Sequence, residues 1–196
     1  MIAASAKIVN LTCDGATVVV HRAILCHFSS YFRAALDGPL SKGKDALDKI
    51  EDISKFELSI LLGWMYTGSF HSTKSVENLD GSEACFLHLY TFADKHDIPA
   101  ACKGIVSCMR ERLIVPELST VSDLFEVLPT QSIMSDYLVE CYAGLSGSSE
   151  GLADLATLNP KFLAAVVRQQ TEALKLQARR LQSFESSRAF AQSNDW

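Results

Sequence analysis

Three groups of residues in this chain have the types and spacing that chemistry would use. Gly147-Ser148-Ser149-Glu150-Gly151 matches GxSxG, the pattern of a serine nucleophile raised on a strained turn between a core strand and a helix. Here the pentapeptide falls in a Gly/Ser-rich stretch between helical patterns, where it reads as a flexible loop; a hydrolase using Ser149 is the enzymatic reading to be weighed. Cys85 and His88 are one helical turn apart, with His96 and Cys102 following, so a zinc site can be drawn through them. They lack paired CxxC or HExxH spacing and are embedded in apolar helical patterns, and the expectation is core and surface residues without a metal. His21, after the β-branched run Val18-Val19-Val20, could act as a base oriented by Asp14 or Asp37. No nucleophile, phosphate loop or carboxylate pair accompanies it, and a His at a strand-to-helix joint is commonly satisfied by backbone groups. The chemistry-bearing residues therefore point away from catalysis, with no cofactor implied.

The elements that would hold these residues follow from local signals. Asp14-Gly15 between Ile8–Thr12 and Thr17–Val20 predicts a β-hairpin. Ala23, Ile24 and Phe28 suit a short helix. Ser29 or Ser30 can cap a second one facing inward with Phe32, Ala35 and Leu36, ended by Asp37-Gly38-Pro39. A Gly/Lys-rich loop over residues 40–49 leads into a short strand around Ala46–Ile50. Ser54-Lys55-Phe56-Glu57 is a capping box. Leu58, Leu61, Leu62 and Met65 follow at helical spacing, widened by Ile60 and Trp64, and Gly68 supplies the stop.

After a polar insert at 71–81, Ser82 can cap a helix to about His96 that faces inward with Phe86, Leu89, Tyr90 and Ala93. Pro99 breaks it. Cys102, Ile105, Met109 and Leu113 form the next stripe, with Arg110 and Arg112 on its wet side, and Pro116 closes the unit. The remainder is helical in pattern: Val121–Leu128, Ile133–Cys141, a linker at Gly144–Gly151, and a final helix from Lys161 to about Phe190 opened by Asn159-Pro160. Val167, Leu174 and Leu181 are seven residues apart, but Thr171, Ala178 and Glu185 interrupt a coiled-coil seam.

Composition narrows the function classes. At 196 residues and 48% hydrophobic, the chain can bury a substantial core. A net charge of -5 gives no footprint for nucleic acid. No apolar run approaches the roughly 20 residues that span a bilayer. Met1–Leu11 lacks a signal peptide's basic region. The six scattered cysteines suggest reduced thiols rather than disulfides or a zinc knuckle. The expectation is an intracellular protein, of cytoplasm or nucleus, that binds neither nucleic acid nor membrane.

Three stretches in order, HRAILCHFSSYFRAAL from His21, WMYTGSF from Trp64 and LYTFADKHDIPAACKGIVSCMRERL from Leu89, resemble a BTB/POZ domain, of the compact kind common in fungal proteins. The resemblance covers roughly residues 7–115. It implies an α+β fold, a small sheet packed on a helical cluster. The boundaries expected are 1–117 for the BTB/POZ-like domain and 118–196 for an all-helical C-terminal extension. It also implies a non-enzymatic protein-interaction module, an adaptor or scaffold that recruits partners to a cullin ubiquitin ligase or a transcriptional complex. Structural self-association, as a homodimer or higher oligomer, is the alternative.

The departures from the family pattern are Ile8, where an acidic residue usually precedes the first apolar run, and the short segment before Lys7, which leaves little to exchange between subunits. A third is Leu40-Ser41-Lys42, which puts a cation where cullin binders carry an acid. Tyr31, Leu40 and Lys42 are the candidate partner-binding residues of the domain. On the final helix, Leu174, Leu181 and Phe184 leave apolar surface to a partner if the helix does not dock on its own domain, beside Arg168, Lys175, Arg179 and Arg180.

Overall fold

A computed structural model describes residues 7–37, 46–70, 83–129, 131–145 and 158–193, with side chains left out at 46–49, 145 and 185–193. The chain divides into two compact units, Met1–Val115 and Pro116–Trp196.

The first unit begins with strands β1 (Ile8–Cys13) and β2 (Ala16–His21), antiparallel in the register Ile8 to His21 through Cys13 to Ala16. Asp14 and Gly15 close the hairpin with φ of 49° and 71°, the left-handed pair that a two-residue turn between twisted strands requires. Alternation places Val9, Leu11, Cys13 and Val20 in the core. Strand β3 (Ala46–Ile50) joins the other edge of β1 in parallel, giving the order β2-β1-β3, with an irregularity between Leu11 and Cys13. The fold is α+β, as expected.

Helices α1 (Arg22–Phe28) and α2 (Ser30–Asp37) follow β2 directly. Only Leu25 of α1 is fully buried, whereas Ala23 is exposed and Ile24 and Phe28 are part-covered; in α2, Phe32 and Leu36 are buried but Ala35 faces solvent. Helices this short carry too few turns for periodicity to fix a face, and the facing is decided by what they pack on.

Helix α3 (Lys55–Thr67) is the central helix. Its capping box is complete: the Ser54 hydroxyl accepts from the Glu57 amide at 3.2 Å, and the Glu57 carboxylate accepts from the Ser54 amide at 2.9 Å. Leu58, Ile60, Leu61, Leu62, Trp64 and Met65 are buried, and Gly68 takes the left-handed C-cap with φ 74°.

Helices α4 (Glu83–Lys95) and α5 (Pro99–Glu111) pack on each other, with Phe86, Leu89, Tyr90, Ala93, Cys102, Ile105 and Met109 buried as the spacing predicts. Ser82, the expected cap, lies outside the described residues. Leu113 does not extend the stripe. The helix has ended, Leu113 takes φ 56°, and its side chain is 83% exposed. Gly104 lets α5 come close to α3: a Cβ there would meet Trp64 Nε1 at 3.0 Å and Phe70 Cε2 at 3.1 Å.

The second unit contains α6 (Leu118–Val127), α7 (Ile133–Leu145) and α8 (Pro160–Ser193). Gly144, expected to open a linker, is instead part of α7. Val121, Phe125, Met134, Leu138, Phe162 and Val166 form its core.

Candidate partner-binding surface

The hairpin of α1 and α2 is fixed by contacts that begin at its two serines. Ser29 is the cap of α2: its hydroxyl accepts from the Phe32 amide at 2.9 Å and donates to the His96 carbonyl at 2.6 Å, wholly buried. The Ser30 hydroxyl donates to the Asp97 carboxylate, with Asp97 held at φ 49° between α4 and α5. These bonds tie the α1–α2 hairpin to the α4–α5 corner. On its outer side Arg22 pairs with Asp37, and the Arg33 guanidinium donates twice to the Cys26 carbonyl at 2.9 and 2.6 Å.

His96 is the floor of this surface. Its ring stacks on Phe92 at 3.9 Å and on Phe32 at 5.4 Å, and Nδ1–H donates to the Phe92 carbonyl at 2.9 Å. Burial holds its pKa below the usual histidine range, opposed by that backbone bond. Tyr31 stands edge-on against the ring at 4.9 Å and against Phe32 at 5.4 Å. It is 49% exposed, an aromatic side chain steadied on one edge with the rest in water. This combination suits a contact anchor, because little side-chain freedom remains to be lost on binding.

The other expected site residues separate. Leu40 and Lys42 lie outside the described residues, as does Ser149 with its GxSxG loop. Leu174, Leu181 and Phe184 share α8 in the second unit and are 65%, 65% and 69% exposed.

His21 is not arranged for base catalysis with either expected orienter. Asp14 accepts from the Lys55 amide at 2.7 Å and Asp37 pairs with Arg22, while His21 Nδ1 and its own amide both meet the Tyr66 hydroxyl, at 2.7 and 3.1 Å. Tyr66 is half-exposed and, with Ile8 and Val19 on the outer face of the β1–β2 hairpin, adds an aromatic and apolar surface to the first unit. A signal for it exists, since Tyr66 stands one residue past Met65 and off the buried stripe of α3.

Cys85 and Cys102 are buried, their thiols pushed up to about 11 and about 12 by loss of water, and so unreactive at neutral pH. His88 Nδ1 lies 3.2 Å from the Glu57 carboxylate. Among the described residues no three His, Cys, Asp or Glu side chains converge as a metal site would need, and no helix there is long and apolar enough to cross a membrane.

The family model of the BTB/POZ domain matches residues 9–104, just under half of the chain. Two solved structures align with it. The BTB (Tramtrack and Bric a brac) domain of human gigaxonin shares 18% identity over 52% of this chain and 76% of its own, with a TM-score of 0.41. The BTB domain of zebrafish PATZ1 shares 18% identity over 53% and 75%, with a TM-score of 0.39. No curated protein matches.

Proposed function

We propose, from the match of residues 9–104 to the BTB/POZ domain, a family of protein-interaction modules, that the chain is a non-enzymatic intracellular adaptor that recruits a protein partner through the α1–α2 face bearing Tyr31. The observation that carries this is the steadied, half-exposed Tyr31 on a hairpin pinned to the α4–α5 corner. A pre-formed aromatic anchor on a rigid base is what a binding face needs and what a catalytic centre does not. The segment that follows α2, with Leu40 and Lys42, supplies selectivity.

The partner class proposed first is a cullin scaffold. Lys42 tunes that affinity downward, since a cation in place of a carboxylate brings either like-charge repulsion or a desolvation cost. A titration of a cullin N-terminal domain into the native chain and into Lys42→Glu tests this. Tighter binding by Lys42→Glu, by about tenfold or more, is expected from one reversed charge at an interface. Binding by neither form would remove the ligase role and leave recruitment to a transcriptional complex.

A further inference from the structure

The second unit is divided by charge along the chain. Residues 116–159 hold acidic side chains and neither Lys nor Arg, whereas α8 carries Lys161, Arg168, Lys175, Arg179, Arg180 and Arg188 against Glu172 and Glu185. Helix α8 is 34 residues, about 50 Å at 1.5 Å per residue. Its first turns pack through Phe162 and Val166, and the Gln170 amide still reaches the Ala143 carbonyl. From Thr171 to Phe184 every side chain is exposed.

Val167, just before that length, and Leu174 and Leu181 on it recur every seven residues, and Arg168, Lys175 and Arg179, with Glu172 among them, form the flank beside them. The apolar ridge thus has a basic border. On α6 and α7, Asp123, Glu126, Asp136 and Glu140 are exposed, together with the apolar Val127 and Ile133. A groove of about 320 Å³ opens between α6, α7 and the first half of α8, lined by Phe125, Val139 and Ala165 with Asp136, Lys161, Arg168 and Glu172 around them.

We propose that the exposed half of α8 docks on the acidic α6–α7 surface of a second copy of this chain, its Leu174–Leu181 ridge entering the groove and its basic flank meeting the acids. The exposed half of the helix does not reach its own α6–α7 surface, because the helix runs on without a break past the turns that pack there. Reciprocal docking is a two-fold arrangement: each copy gives a helix and receives one, so the assembly closes as a dimer. The interface lies wholly in the second unit and is independent of the adaptor reading of the first.

The test is zero-length carbodiimide crosslinking of the full chain, mixed from ¹⁴N- and ¹⁵N-labelled material. Mixed-isotope crosslinks from Lys175 to Asp123, Glu126, Asp136 or Glu140 are expected, falling about tenfold or more near 1 M NaCl, where screening acts within ~3 Å. Arg179→Glu with Arg180→Glu should lose them, as should Glu126→Lys with Asp136→Lys. A mixture of the two variants should restore crosslinks from Lys175 to Asp123 or Glu140, because each reversed surface then meets its complement. Crosslinks confined to a single isotope, signifying a helix folded onto its own chain, would overturn the proposal. So would their absence from the native chain, which would give α8 to a foreign partner, or their indifference to the charge reversals.

Discussion

At the scale of single residues, His96 has the most consequential position. It is sandwiched between Phe92 and Phe32, supports Tyr31, and is kept neutral by burial. Its folded-state pKa lies below the unfolded value, so the unfolded chain takes up a proton first as pH falls. Stability therefore rises with pH through this window and is lost on acidification below the ordinary histidine value of about 6.5. Thermal unfolding followed between neutral pH and about pH 5 should show a falling midpoint, and His96→Phe should flatten that slope. Gly104 gives a steric prediction. Trp64 and Phe70 stand 3.0 and 3.1 Å from where a Cβ would be, so Gly104→Ala should destabilise by about 1–3 kcal/mol in denaturant titration. The exposed Tyr31 was legible as an aromatic in a family-specific stretch. What steadies it was not, because His96 reaches it from the far end of α4 through a contact that no local pattern encodes.

At the scale of elements, legibility followed the strength of local signals. Helix α3 could be read from its capping box, apolar stripe and terminal glycine, and the hairpin from Asp14-Gly15, because in each a side chain or a φ angle decides the backbone locally. The capping box makes its own prediction: Ser54→Ala should cost about 0.5–2 kcal/mol, measured by chemical unfolding. The short helices α1 and α2 behaved otherwise. That Leu25 is the residue α1 buries depends on β2 and α3, and that Ala35 faces out depends on the packing of α2 against α1 and His96, rather than on spacing. Leu113 failed as a stripe member for a related reason. Helical periodicity has no meaning past the residue where the backbone leaves the helix, and the left-handed turn there carries no glycine to announce it.

At the scale of the whole molecule, two units offer two different surfaces. The first presents an aromatic anchor on a pinned hairpin, the second a long basic helix with an apolar ridge. The central claim is that Tyr31 anchors a protein partner. Calorimetric titration of a cullin N-terminal domain into the Lys42→Glu chain, with and without Tyr31→Ala, tests it most directly. The account predicts saturable binding that Tyr31→Ala weakens by about tenfold or more, as loss of an aromatic anchor does, while the chain still unfolds cooperatively. Equal binding by the two chains would contradict it, and no binding by either would remove the cullin as the partner.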